Sequence, residues 1–120
     1  MNYLDSLDID LNDYEFIATA GTPTTIAAIK NGQNFLSYDK NLINGTKINL
    51  NDLTNCMDLL NNSNDDKKIE LFGTNKKEFI EVGILIYKTI FEVLNKEASI
   101  IFDDGLREGV AINYAIAKNY

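Results

Sequence analysis

Two short stretches concentrate the residues that could handle charge: Gly21-Thr22-Pro23-Thr24-Thr25 and Asp103-Asp104-Gly105-Leu106-Arg107-Glu108. The first is small and rich in hydroxyls. Set between a strand and a helix, such a loop presents backbone N–H groups and hydroxyls to an anion. The same residues serve equally well to cap a helix that begins at Pro23. In the second stretch, Asp103 and Asp104 have no further carboxylate at a metal-ligand spacing and read as turn formers, which predicts no metal site. The chain contains no histidine, so any general base must be Asp, Glu, Lys or Tyr. Its single cysteine, Cys56, has neither a second thiol nor an imidazole for a disulfide or a zinc site, and reads as a small core residue.

The elements that must position these stretches alternate between strand and helix. Glu15 to Ala20 reads as a short strand, followed by a helix from Pro23 to Lys30 that Asn31-Gly32-Gln33 ends. Gly45 to Leu50 alternates polar and apolar residues and predicts a second strand. Asn51 is placed to cap a helix with Leu53, Met57 and Leu60 on one face, with Asp52 near its positive end. A short helical turn from Asp66 to Phe72 stops at Gly73. The longest helix starts near Lys76, and Phe79, Ile80, Gly83, Ile84, Ile86, Tyr87, Ile90, Phe91 and Leu94 spread apolar character over most of its circumference, which predicts burial nearly all round. Gly83 within it predicts a close approach to a neighbouring element. Ala98 to Phe102 reads as an interior strand of a parallel sheet. A closing helix from Leu106 to Lys118 offers Val110, Ile112, Ala115 and Ile116 for packing. Residues 1–14 read as the end of a helix or an irregular acidic lead-in. Both charge-handling stretches therefore follow the carboxyl end of a strand, the edge of an α/β sheet where ligands bind.

With 120 residues, 45% of them hydrophobic and 24% charged, the chain fits one compact domain. A net charge of −7 without a basic stripe argues against nucleic-acid binding. No apolar run approaches the roughly 20 residues that span a bilayer, and the acidic first residues lack a secretory n-region. A cytoplasmic protein without membrane contact is the expectation. The asparagine-rich run Asn61 to Asp66 reads as a loop between periodic segments.

Three blocks, IATAGTPTTIAAI, YDKNLINGTKINLNDL from Tyr38 to Leu53, and DDGLREGVA from Asp103 to Ala111, resemble in order and spacing the C-terminal part of the second domain of exopolyphosphatase/guanosine pentaphosphatase (Ppx/GppA) proteins. The Gly-Leu-Arg-Glu-Gly block is the most specific of them. The resemblance implies an α/β fold: a partial RNase H-like domain of the actin-like ATPase and sugar-kinase superfamily, with a short, mostly parallel sheet and flanking helices. All 120 residues would belong to that one domain. It further implies a phosphoanhydride hydrolase that releases terminal phosphate from inorganic polyphosphate or guanosine pentaphosphate with Mg²⁺. The family's catalytic acid, its Asp-x-Gly-Ser-Asn loop and a second Gly-rich loop have no counterpart in these residues, so the chain on its own is expected to be inactive and to carry no catalytic residue.

Carried over residue by residue, the resemblance makes Gly21, Thr22, Thr24, Lys76 and Arg107 phosphate or nucleotide contacts. Gly21 and Thr22 match the end of a Gly-Gly-Thr loop whose first glycine is here Ala20, so either that position has negative φ or the loop is reshaped. Lys76 stands where the family has an arginine, and supplies charge without the planar fork. Arg107 either meets a phosphate bidentately or pairs internally with Asp103 or Asp104. A non-catalytic nucleotide- or alarmone-binding or dimerisation module is the alternative function. A homodimer is expected, because the sheet of the intact family fold continues into strands outside this chain.

Overall fold

A computed structural model describes residues 6–34 and 36–118, without the side chain of Leu106. The first five residues of the acidic lead-in lie outside the described residues. A 3-10 turn at Leu11–Asp13 follows, held by the Asp10 carboxylate accepting from the Asn12 N–H. Strand β1 is short, Ile17–Ala18. It leads into helix α1, Gly21–Lys30. After a one-turn helix α2, Lys40–Ile43, come strand β2, Thr46–Asn49, and helix α3, Leu50–Asn62. Helices α4, Asp65–Phe72, and α5, Lys77–Leu94, precede strand β3, Ala98–Ile101, and helix α6, Leu106–Ala117.

The local chemistry explains most of these boundaries. Asn49, the last residue of β2, caps α3 in place of the expected Asn51: its extended backbone lets its side chain accept from the Asp52 N–H while Asp52 accepts from the Asn49 N–H. Asp52 also holds Lys30 at 3.0 Å, tying the end of α1 to the start of α3. Gly73 ends α4 with φ 77, as its position predicts. Asn95 ends α5 in the left-handed region.

The sheet order is β1-β3-β2. β3 pairs parallel with β1, Ile17 opposite Ile100, and antiparallel with β2, Ile48 opposite Ser99. The sheet is thus mixed rather than mostly parallel, because β2 enters from the segment around α2 and runs back along the outer side of β3. α1, α3 and α5 pack against one another. Ile26, Ala27, Ile43, Ile48, Leu53, Cys56, Ile84, Phe91 and Ile101 fill the core between these helices and the sheet. Phe16 packs edge-to-face against Tyr87 and Phe91, which are tilted against each other, with ring centroids 5.0 to 5.9 Å apart. Cys56 is buried as expected, and desolvation pushes its thiol up to about 11.

Two expectations of burial are overturned. α5 buries Ile84, Tyr87 and Phe91, whereas Phe79, Val82, Leu85, Ile86, Ile90 and Val93 are exposed. On α6, Val110, Ile112 and Ile116 are exposed and Ala115 is only half-buried. The reason is the same for both. Three short strands and the helices around them fill one core, and the second apolar face of α5 and most of α6 have no element of the described residues against them. Among the described residues no helix is long and apolar enough to cross a membrane.

Candidate functional site

The chain leaves β1 and β3 at the same edge of the sheet, because the Phe102 N–H donates to the Ala18 carbonyl at 3.1 Å. Beyond β1, Ala20 sits at the cap position of α1 with φ 74 and ψ −168. The negative φ offered as one alternative for this position is not taken: Ala20 is an L-residue in backbone that favours glycine. No side chain caps α1. Neither Thr22 nor Thr24 fills that role; the Thr24 hydroxyl bonds back to the Ala20 carbonyl at 2.8 Å and the Thr25 hydroxyl to the Gly21 carbonyl at 2.8 Å. Gly21 and Thr22 thus form the first turn of a ten-residue helix whose positive end carries no side-chain carboxylate.

That first turn is wedged against α5. Gly83 faces Thr22 so closely that any Cβ there would collide with the threonine hydroxyl, which is the close approach the sequence predicts. Gly21, Thr22 and Thr25 form one wall of a cavity of about 190 Å³ whose other walls are Phe72, Phe79, Ile80 and Ile84. Lys76 is exposed, with its Nζ 5.5 Å from the centre of the Phe79 ring. Gly21 and Thr22 line this cavity, and Lys76 is related to it only through the Phe79 ring that it overlies. Arg107 does not line it. It is 95% exposed, 3.9 Å from Glu108 Oε1, and lies beside a separate open groove with Val110, Ala111 and Tyr114.

The internal pairing considered for Arg107 is absent because its proposed partners are engaged elsewhere. Asp104 binds Lys40 at 2.6 Å and Asn44 Nδ2 at 3.1 Å. The ion pair draws the Asp104 carboxyl below its usual range and raises the Lys40 ammonium. The Asp103 N–H donates to Asn44 Oδ1 at 2.7 Å. Glu108 accepts from the Gly105 N–H at 2.8 Å, which lowers its carboxyl and fixes the start of α6.

Thr24 faces the other side of the loop, toward a residue that the sequence reading passed over. Tyr38 sits in hydrogen-bond reach of both Thr24 and Asp103, and partial burial, followed by the bond to Asp103, pushes its hydroxyl up to about 12. Tyr38 thus stands between Thr24, past the end of β1, and Asp103, past the end of β3. Its signal in the sequence was the second quoted block, which opens on Tyr38, but the residue's types and spacing gave it no role of its own. Among the described residues no three carboxylate, thiol or imidazole groups converge as metal ligands.

A model of the Ppx/GppA phosphatase family matches residues 2–116. Among solved structures, the Aquifex aeolicus member of the Ppx/GppA protein family superposes with a TM-score of 0.73 at 22% identity, over 99% of this chain and 41% of that one. Another structure of an Aquifex aeolicus Ppx/GppA enzyme gives 0.70 at 24% identity, over 83% and 34%. An exopolyphosphatase-like protein gives 0.70 at 16% identity, over 99% and 40%. The chain thus spans well under half the length of these proteins, and the likeness to them carries the actin-like α/β fold. No curated protein matches the chain significantly. With the family's sequence pattern running across almost every residue and its fold reproduced in the sheet and helices, the chain belongs to the Ppx/GppA phosphatase family.

Proposed function

We propose that the chain forms one wall of the phosphate cleft of a phosphoanhydride hydrolase that releases terminal phosphate from inorganic polyphosphate or guanosine pentaphosphate, as the C-terminal part of that enzyme's second domain. The observation that carries the proposal is the uncapped first turn of α1, set at the carboxyl edge of the sheet on the wall of a cavity whose Phe79 ring is overlain by Lys76, in a chain of this family. The Gly21 and Thr22 N–H groups meet phosphate oxygens at the positive end of the helix, and the Lys76 ammonium neutralises charge on the same phosphate run. Thr24, bonded to the Ala20 carbonyl, holds the loop in shape. Arg107, free of internal partners within salt-bridge distance other than Glu108, offers its fork to a second phosphate.

The chain's own residues do not fit the Mg²⁺ that such hydrolases use. Asp104 is taken up by Lys40 and Asn44, and no set of three ligands converges among the described residues. The metal's ligands and the group that activates water belong to the intact enzyme. A second reading, a module that binds a nucleotide without hydrolysing it, is favoured by the aromatic walls Phe72 and Phe79 beside the same helix turn, which suit a nucleobase.

Calorimetric titration of inorganic tripolyphosphate into the wild type and Gly21→Asp tests the proposal. The open space around the Gly21 Cβ position accommodates the aspartate, and its charge suits a helix start, so the variant folds. Its affinity for tripolyphosphate falls at least about tenfold, a loss of roughly 1.4 kcal/mol. Equal affinities would overturn the assignment of this turn.

A further inference from the structure

We propose that Gly83 of α5 is a positioning residue for the backbone donors that meet the anion at the start of α1, an inference that rests on the phosphate-wall reading of that turn. Of the three helical residues ahead of the first intrahelical bond, Pro23 has no N–H. The next donor, the Thr24 N–H, is taken by the Ala20 carbonyl at 3.2 Å. Gly21 and Thr22 therefore hold the free N–H groups of the turn. Each of these lies in a planar peptide whose carbonyl end is fixed by a hydroxyl. The Ala20 carbonyl, which shares a peptide with the Gly21 N–H, accepts from the Thr24 hydroxyl at 2.8 Å. The Gly21 carbonyl, which shares one with the Thr22 N–H, accepts from the Thr24 and Thr25 hydroxyls at 3.0 and 2.8 Å.

These bonds hold the turn from within, and α5 holds it from outside. The Thr22 side chain is set against Gly83: a Cβ on the glycine would collide with the Thr22 hydroxyl and stand 3.4 Å from its Cβ and Cγ2. With that hydroxyl turned to α5, the part of Thr22 offered to an anion is its N–H. Gly21 and Thr22 line both the cavity of about 190 Å³ and a groove of about 420 Å³ that Gly83 shares. Thr22 thus borders two hollows, with room to shift once its seat on Gly83 is lost. A methyl group added at position 83 moves α1 rather than α5. α5 is an 18-residue helix anchored in the core by Ile84, Tyr87 and Phe91, whereas the start of α1 has no side-chain cap and follows the strained Ala20. Hydrogen bonds weaken steeply with misalignment, so the displaced donors hold the anion less well although the helix persists.

Calorimetric titration of inorganic tripolyphosphate into the full chain, as wild type, Gly83→Ala, Thr22→Ala and the double variant, tests this role, with far-ultraviolet spectra checking that each is folded. Gly83→Ala is expected to lower the affinity at least about tenfold, the scale of one hydrogen bond to a charged group. In the Thr22→Ala background the hydroxyl and methyl that the new Cβ would meet are gone, and the same substitution is expected to change the affinity by less than about twofold. Leu60→Ala, a core truncation on α3 that lines neither hollow, lowers stability and is expected to leave the affinity unchanged, which separates positioning from loss of stability. Gly83→Ala binding as the wild type does, or the double variant binding at least about tenfold more weakly than Thr22→Ala, would overturn the proposal; the second comparison decides even where Gly83→Ala alone does not fold. A wild type that fails to bind, or Gly21→Asp that binds equally well, removes the phosphate-wall reading and the positioning role together. A wild type that binds, weakens in Gly21→Asp and is unchanged in Gly83→Ala removes the positioning role alone.

Discussion

Gly83 of α5 lies against Thr22 of α1 so closely that a Cβ on the glycine would collide with Thr22 Oγ1 and stand 3.4 Å from both Thr22 Cβ and Cγ2. In an exposed helix interior, Gly→Ala stabilises by up to about 1 kcal/mol. Here the contact decides the sign. Thr22 is β-branched and helical, so rotating its hydroxyl away means leaving a preferred rotamer. Gly83→Ala is expected to destabilise the chain by about 1–3 kcal/mol in urea denaturation. The same substitution in a Thr22→Ala background is expected to cost less, and additive costs would show that the two helices are not in contact there.

Ala20 holds a backbone that favours glycine, at φ 74 and ψ −168, and strain of that kind is worth about 1–3 kcal/mol. Glycine at this position relieves the strain but adds roughly 0.5–1 kcal/mol of unfolded-state entropy. Ala20→Gly is therefore expected to raise stability by up to about 2 kcal/mol. A fall in the denaturation midpoint would show that the alanine is unstrained.

The two isoleucines of α5 separate core from surface. Ile84 is 2% exposed, and Ile84→Ala is expected to cost about 2–5 kcal/mol. Ile86→Ala, measured at a concentration low enough to keep the chain monomeric, is expected to stay within about 0.5 kcal/mol. Equal losses at both positions would contradict the orientation of the helix.

Tyr38 gives the stability a dependence on alkaline pH. Its hydroxyl is raised from 10.0 to about 12 in the fold, so between these values the unfolded chain releases a proton that the folded chain retains. Stability falls as pH rises through that window. Tyr87, raised by burial, adds to the same trend. Tyr38→Phe is expected to flatten the profile partly, and an unchanged slope between pH 10 and 12 would show that Tyr38 is not held by Asp103.

The elements were legible where local chemistry dictates them. Gly73 as a stop, Gly83 as a close approach and the alternation of Gly45 to Leu50 all follow from single residues or a short period. Burial was less so. The periodicity of α5 marks both of its apolar faces alike, and only the packed structure shows that Ile84 is covered and Ile86 is open. The direction of β2 depends on a long-range pairing with β3 that no local pattern encodes. Within the site, Gly21 and Thr22 stood out by their residue types. Tyr38 did not, because its role arises from a fold that brings it to Thr24 and Asp103 from distant parts of the chain.

Incubated alone with polyphosphate or guanosine pentaphosphate and Mg²⁺, this polypeptide is expected to release no phosphate above background. Glu108 and Asp104 are engaged in local bonds, and no residue of the chain is assigned to activating water. Turnover that scales with protein and is lost in Glu108→Gln would refute that expectation.

The most direct test of the account is a titration of the ¹⁵N-labelled chain with inorganic tripolyphosphate, followed amide by amide. The phosphate-wall reading predicts the largest saturable shifts at the Gly21 and Thr22 amides, with smaller ones at Lys76 and none at Asn61 or Asn62, at the far end of α3. Shifts that spare Gly21 and Thr22, or that appear only at scattered lysines, would contradict it.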